Sequence, residues 1–489
     1  MELTTLLNNV KVIQVVGEIS RKSVTGICYD SRKVKRNSIF VAIKGFKTDG
    51  HKFISDAIND GALAIVLEDD KTFPDDAITR QNVAKILVKD SRQALAELSN
   101  SFFGEPSKKI KLIGVTGTNG KTTTTYFIKS IFETAGYKTG LVGTITNFIG
   151  EREITSSLTT PESNDLNMLF DEMYSQGCKY AIMEVSSHSL VLKRVHKLYF
   201  SAGVFTNLTQ DHLDFHQNFE DYLNAKKILF DNLDGSASAI YNIDDPNGVK
   251  IVADSKAKIF SYGSFDSSDY KLMDIRFDLN GTNFTIIHKD REYKVSTSLV
   301  GDFNAYNACA AFSSAMLEGI DSETVIQGIK NTKPVPGRFE VVGYGSKKVI
   351  VDYSHTPDSL EKALLAIRKI VKKDKPVYAV FGCGGNRDRT KRPMMGRIAS
   401  EIADKVIITS DNPRFEEPMT IIEEIKSGIS KKNYKVIENR EQAIKDVIQS
   451  SDDDAVILIA GKGHETYQEI KGVRNHFSDK EIAEKYLIK

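Results

Sequence analysis

The chain has almost no excess of either charge. Its 489 residues carry 66 Lys and Arg against 65 Asp and Glu, a formal net charge of +1. Without a basic face, nucleic acid is a poor partner. No apolar run approaches the ~20 residues that a membrane span needs, so no membrane insertion is expected. The start, Met1-Glu-Leu-Thr-Thr-Leu-Leu-Asn-Asn9, has no basic segment ahead of an apolar one and does not read as a secretory signal. Cysteine is scarce. Cys28, Cys178, Cys309 and Cys383 are far apart and form no metal-type pair, which fits reduced thiols in the cytoplasm. The expectation is a cytoplasmic monomer. Its hydrophobic fraction of 40% is enough for real cores. Its length suits about three domains.

One stretch organises the rest: Ile110-Lys-Leu-Ile-Gly-Val-Thr-Gly-Thr-Asn-Gly-Lys-Thr-Thr-Thr-Thr125. Leu112 to Val115 reads as a buried strand, Thr116 to Gly120 as a small-residue loop, and Lys121 opens a helical pattern to about Ala135. Glycines let backbone N–H groups turn onto a phosphate, and the helix start adds partial positive charge. Lys121 can reach β- and γ-phosphates, and the Thr122 hydroxyl can ligate Mg²⁺. Val115 stands where the strict G-x-x-x-x-G-K-[ST] pattern has its first glycine. A glycine-rich turn with no ligand is the plain alternative.

The remaining segments divide around this stretch into an α/β chain of three domains: 1–105, small and mixed; 106–333, central with a parallel sheet; and 334–489, doubly wound. In the first, Ile39–Ile43, Leu63–Leu67 and Ile86–Val88 are strand-like, and His51–Asn59 and Ser91–Phe102 have helical spacing. Gly104-Glu-Pro-Ser-Lys-Lys109 reads as a linker. In the second, Ala181-Ile-Met-Glu184 puts a carboxylate at a strand end, where Glu184 can ligate Mg²⁺ opposite Thr122 or be buried among serine hydroxyls. His212 and His216 have a spacing that could suggest zinc, but no Cys or Glu completes a set nearby. Phe219 to Phe230 reads as an amphipathic helix carrying Lys226 and Lys227. Residues 242–300 look like a polar antiparallel extension without chemistry. Pro334-Val-Pro-Gly-Arg-Phe-Glu340 is a stiff second linker.

From 341 onward strand and helix alternate, as in a doubly wound Rossmann-like domain. Strands are expected at 349–351, 377–381, 406–410 and 456–460, and helices at 358–372, 391–402, 418–430 and 440–450. Four polar strings follow the strands: Asp352-Tyr-Ser-His-Thr-Pro357, Gly384-Gly-Asn-Arg-Asp388, Asp411-Asn-Pro-Arg414 and Gly461-Lys-Gly-His-Glu465. Polar strings at several strand ends of one parallel sheet describe a ligand crevice.

Thr-Gly-Thr-Asn-Gly-Lys-Thr-Thr resembles the ATP loop of the Mur ligases, which build the peptide of the bacterial cell-wall precursor; folylpolyglutamate synthases carry a related loop. Asp-Asn-Pro-Arg with Gly-Lys-Gly-His-Glu resembles the branch that adds meso-diaminopimelate, with the lysine-adding branch as the nearer rival. The resemblance covers nearly the whole chain. It implies an acid–amine ligase that uses ATP and Mg²⁺ through an acyl phosphate. Thr116, Gly117, Thr118, Asn119, Gly120, Lys121, Thr122 and Thr123 would then hold ATP, with Asn304 on the adenine side and Arg338 on the phosphates. Ser31, Thr159, Thr160, Ser186 and Arg194 would hold the UDP-MurNAc-peptide, and the loop Phe46-Lys47-Thr48 would also touch its nucleotide. Thr159 and Thr160 could equally serve a helix cap, and Asp30-Ser31-Arg32 an ordinary turn.

His212 would help bind a second Mg²⁺, and Lys226 would take up CO₂ to become a carbamate ligand. Arg387, Asp411, Asn412, Pro413, Arg414, Gly461 and Glu465 would surround meso-diaminopimelate. His355 is a candidate base for the attacking amine, or an ATP contact. A phosphate-loop switch with no ligase chemistry is the reading from another class.

Overall fold

In a computed structural model of the chain, the described residues are 1–46, 48–75, 81–212, 214–343, 347–371 and 375–487. Lys47, Leu213 and Lys372, the last residue of one expected helix, lie outside them. The described chain packs as two compact units, 1–114 with 137–203, and 115–136 with 204–489.

The first unit holds a five-stranded sheet in the order Val12–Val16, Ala84–Val88, Ala64–Leu67, Ser38–Val41, Gly26–Cys28. All neighbours are parallel except the first pair. Ser38–Val41 and Ala64–Leu67 are buried along their whole length, which is why they appear as continuous apolar runs rather than alternating ones. The strands Val12–Val16 and Gly26–Cys28 escaped the sequence reading because they are short and half-exposed. Helix Ser91–Phe102 starts where Asp90 accepts a hydrogen bond from the Gln93 N–H at 2.8 Å. It buries Leu95 and Leu98 in the core of this sheet. The expected helix from His51 is split into a 3₁₀ turn, Gly50–Phe53, and Ile54–Asn59, because Asp49 caps the tighter turn through the His51 N–H. Also in this unit, Tyr180–Glu184 runs parallel to Thr139–Val142, and Thr146–Ile149 and Arg152–Thr155 continue antiparallel.

In the second unit, helix Lys121–Thr134 follows the phosphate loop and buries Phe127, Ile128, Ile131 and Phe132. It packs on Asp302–Leu317 and Ser322–Asn331. The approach is close at Gly328, where an added Cβ would come within 2.4 Å of the Ile131 Cα. The segment expected to be an antiparallel extension is antiparallel only in its outer part. Ser238–Asn242, Lys258–Gly263 and Tyr270–Asp278 pair parallel. Gly281–His288 and Arg291–Thr297 then close an antiparallel meander.

The C-terminal sheet runs Glu340–Val342, Lys348–Asp352, Val456–Ala460, Val377–Phe381, Lys405–Ile408, Tyr434–Val436. Only its first strand is antiparallel. The strand of this sheet that comes last in sequence, Val456–Ala460, is inserted beside Lys348–Asp352, so the strand order reverses there and opens a crevice at the carboxyl ends. The flanking helices are Pro357–Ile370, Lys391–Ile402, Pro418–Lys426 and Arg440–Ser450. A hairpin, Tyr467–Ile470 with Val473–His476, and the helix Asp479–Leu487 complete the domain.

Candidate active site

The phosphate loop needs its two glycines for different contacts. Gly117 has φ 148° and an added Cβ would lie 1.9 Å from the Thr206 hydroxyl; Gly120 has φ 88° and a Cβ there would lie 2.4 Å from Asn307 Oδ1. The Lys121 ammonium folds over the loop and donates to the carbonyls of Gly117 (3.0 Å) and Thr118 (2.8 Å). Thr118 donates to the Thr209 carbonyl, and Asn119 N–H to Asn207 Oδ1, so the loop is braced from behind. Thr116 and Thr123 are buried with it.

Two contacts bring the C-terminal segment onto this loop. Arg338 Nη2 donates to the Thr122 hydroxyl at 3.1 Å, and Asn119 Nδ2 donates to Asp358 Oδ2 at 2.9 Å. The Arg338 guanidinium lies 4.6 Å above the Tyr353 ring, whose other neighbours are His355 and His464. His464 is held neutral: burial first, then the charges of Arg338 and Lys462, push its pKa down to about 3.

A cavity of about 590 Å³ lies beside the loop, with Asn119, Gly120, Asn304, Asn307, Arg338 and Tyr353 in its wall. Asn304 is fixed by donating to the Val300 carbonyl while accepting from Asn307. Asn242, Asp244, Asp245 and Tyr262 also line this space. The segment read from sequence as lacking chemistry therefore forms part of the cavity wall. Its only sequence signal was the polar Asn242-Ile-Asp-Asp245 at a strand end.

Lys226 is the most unusual group nearby. Its side chain is 1% exposed and donates to the Gly117 carbonyl at 2.7 Å, with the Tyr222 ring 4.6 Å away. Burial first, and the charge of Lys121 second, hold its pKa well below the usual lysine range. Tyr222, itself buried, bonds to Thr118 through its hydroxyl, a loop-bracing role that the sequence did not suggest. Asp211 Oδ2 lies 3.3 Å from His212 Nε2 and 3.6 Å from His355 Nε2. Burial alone would raise its pKa, but the His355 contact, the charge of His212 and Lys391 outweigh it and hold the group well below the carboxylate range. His212 adopts φ 57°, so the segment is a turned loop and not a helix start.

At the other strand ends the meso-diaminopimelate candidates come together. Asn412 Nδ2 donates to Glu465 Oε2 at 2.8 Å, and Lys462, wholly buried, donates to both Asn412 Oδ1 and Glu465 Oε2 at 3.1 Å. Gly461, at φ 117°, lies against Asp411, whose Oδ2 an added Cβ would meet at 2.6 Å. Arg414 follows Pro413 with φ 54°; its Nη1 donates to the Gly385 carbonyl at 2.7 Å and its Nε lies 4.0 Å from Glu469. Glu416, two residues after Arg414, is taken by the buried Arg392. Arg387 is more than half exposed, 3.7 Å from Asp214. Lys462, missed as a tie between the two strings, was visible only as part of Gly-Lys-Gly-His-Glu.

In the first unit, Glu184 is 1% exposed at its strand end and accepts from the Thr144 N–H and hydroxyl at 2.8 and 2.9 Å. The threonine supplies the hydroxyl that sequence reading had assigned to serines. Thr159 bonds the Thr144 hydroxyl. Thr160 caps no helix; it donates to the Glu184 carbonyl and accepts from the Ser186 N–H. Ser186 instead caps the helix Ser187–Val191. Arg194 is paired with Glu162 and donates to the Thr160 carbonyl, so a substrate carboxylate would have to share it. Ser31 begins a 3₁₀ turn capped by Asp30, beside Tyr29, whose hydroxyl donates to Asp165.

A strand, a glycine loop and a lysine at a helix start, tied to a doubly wound domain with a polar crevice, have the layout of a phosphate-loop enzyme. Residues 23–103 match the model for "Mur ligase family, catalytic domain", 115–315 the Mur ligase middle domain, and 337–463 the "Mur ligase, glutamate ligase domain". A protein of Clostridium tetani named UDP-N-acetylmuramoyl-L-alanyl-D-glutamate–2,6-diaminopimelate ligase is 46% identical over 95% of both chains. A solved structure of a ligase of that name is 31% identical, covers 100% of this chain and 99% of its own, and superimposes with a TM-score of 0.71. The MurF ligase of Thermotoga maritima, solved in complex with ADP, shares the fold at 22% identity and a TM-score of 0.65, covering 90% of this chain and 94% of its own. The chain belongs to the Mur ligase family.

Proposed function

We propose that this protein is the ligase that joins meso-diaminopimelate to UDP-MurNAc-L-Ala-D-Glu at the expense of ATP, in the cytoplasmic synthesis of peptidoglycan precursor. The observation that carries the reading is the arrangement of the second unit. A phosphate loop held by Arg338 from the C-terminal segment shares that unit with the crevice of Asn412, Arg414, Lys462 and Glu465.

ATP phosphorylates the D-glutamate γ-carboxylate, giving an acyl phosphate and ADP; the amine of the amino acid then attacks and phosphate leaves. The cavity beside the loop, about 590 Å³, has the size of a nucleotide site. Loop N–H groups, Lys121 and Arg338 offset the charge on the transferred phosphoryl group. The Thr122 hydroxyl and the Glu184 carboxylate are hard oxygen donors of the kind Mg²⁺ takes, and His212 is a further candidate ligand. Bound Mg²⁺ supplies charge neutralisation at the phosphates. Burial favours the neutral amine of Lys226, the form that CO₂ requires, and its carbamate would present oxygens where Nζ now meets the Gly117 carbonyl. Thr159, Thr160, Ser186, Arg194 and Ser31 hold the UDP-sugar peptide. Arg414 holds the distal carboxylate of diaminopimelate and Glu465 its distal ammonium. His355, beside Asp211, is placed to take a proton or to bind ATP.

Phosphate release with and without each substrate tests this. Release that depends on UDP-MurNAc-dipeptide and on diaminopimelate supports the ligase. Release indifferent to the amino acid marks a nucleotide switch instead.

A further inference from the structure

Beneath the two amino-acid loops lies an ion pair that no step of the proposed reaction uses. Arg440, at the start of helix Arg440–Ser450, is 1% exposed, and Asp479, at the start of helix Asp479–Leu487, is 0% exposed. The pair is bidentate: Nε donates to Asp479 Oδ1 at 2.8 Å and Nη2 to Oδ2 at 2.7 Å. The guanidinium has further donors, and these reach backbone. Nη2 donates to the Ala460 carbonyl at 2.9 Å and Nη1 to the Ser410 carbonyl at 3.5 Å. Ser410 immediately precedes Asp411-Asn-Pro-Arg414, and Ala460 immediately precedes Gly461-Lys-Gly-His-Glu465. One side chain therefore grips the roots of both strings, while Lys462 ties their side chains together above.

A buried ion pair is a poor device for stability alone, because the cost of removing both charges from water offsets most of their attraction. Its value here lies in geometry. Only a planar, permanently charged fork can serve one carboxylate and two carbonyls at once; an ammonium on a flexible stem cannot. Asp411 and Glu465 are also close enough for their charges to act on the Arg440 guanidinium.

We propose that Arg440, locked by Asp479, is a positioning residue for amino-acid recognition: it sets the spacing of the Asp411–Arg414 and Gly461–Glu465 strings and so the fit of the diamino acid between them. This rests on the ligase reading, which the parent enzyme's own dependence on diaminopimelate tests first and separately.

The test uses the full-length protein. Removing one partner strands a buried charge, so Arg440→Met is made together with Asp479→Leu, and Arg440→Lys is made alone. In the folded variants the diaminopimelate KM is expected to rise about tenfold or more, with the KM values for ATP and UDP-MurNAc-dipeptide within about twofold of the parent. Amide hydrogen exchange in 411–414 and 461–465 is expected to quicken while exchange in 112–134 stays unchanged. A parent-like diaminopimelate KM in either folded variant overturns the proposal, and so does a rise of all three KM values together. Should the double variant fail to fold, Arg440→Lys alone decides by the same criteria; if that also fails to fold, the pair is a stability element and the proposal falls. If the parent makes no ligated product, the ligase reading fails, and the exchange experiment alone still reports whether Arg440 anchors the two strings.

Discussion

The Lys226 ammonium donates to the carbonyl of Gly117, the first glycine of the phosphate loop, across 2.7 Å of buried space. A lysine so placed, with Lys121 as an electrostatic neighbour, is under pressure to lose its charge. A carbamate would relieve that pressure and give the loop an anion beside Lys121.

Lys226→Ala should therefore lose most activity, and a small added carboxylic acid should restore part of it by supplying the missing oxygens. Lys226→Arg keeps a cation but cannot take up CO₂, so it should also be weak. Turnover with and without formate or acetate checks this. An Arg variant as active as the parent would sink the carbamate idea.

Lys121→Ala should lower phosphoryl transfer by at least about a hundredfold, since one preorganised charge is removed from the loop. The variant should still fold, because the Lys121 ammonium donates to the loop carbonyls of Gly117 and Thr118. Circular dichroism and single-turnover ADP formation measure the two effects. Near-normal turnover would show that this loop does not hold the transferred phosphate.

Arg414 is presented from a stiff loop after Pro413 and oriented by the Gly385 carbonyl. With L-lysine in place of diaminopimelate it would lose its carboxylate partner inside a closed site, at a cost of roughly 3–5 kcal/mol, about a hundredfold or more. The parent should reject L-lysine. Arg414→Ala should raise the diaminopimelate KM sharply and the ATP KM little. Comparable kcat/KM for lysine and diaminopimelate in the parent would refute the specificity.

His464 sets a pH dependence. Burial lowers its pKa from the ordinary 6.5 to about 3 in the folded protein. Between those values the unfolded chain binds a proton that the folded chain does not. The contribution is fully present above about pH 6.5 and is lost as pH falls toward 3, by roughly 1.4 kcal/mol per pH unit. His464→Gln should flatten this part of the acid limb. Urea midpoints of parent and variant from pH 7 to pH 4 check it; parallel profiles would show that His464 does not titrate in that window.

What the sequence determined by itself was local. Gly117, Gly120 and Lys121 declare the phosphate loop because positive φ and a lysine at a helix start are properties of a few adjacent residues. The alternation after 341 declares a parallel sheet, and polar strings at its strand ends declare a crevice, because periodicity and strand polarity are written in the chain. The limits of that reading show in the short, half-exposed strands Val12–Val16 and Gly26–Cys28, and in the strand Lys258–Gly263, whose parallel pairing nothing local specifies. Only the tertiary structure decided that Asn242, Asp244 and Tyr262 line the cavity beside the phosphate loop. The same holds for the burial of Lys226 against Gly117 and for the joining of Ser410 and Ala460 by Arg440. These facts depend on desolvation and on partners brought together from distant parts of the chain. A side chain's charge state and its hold on a distant carbonyl exist only once those parts have packed.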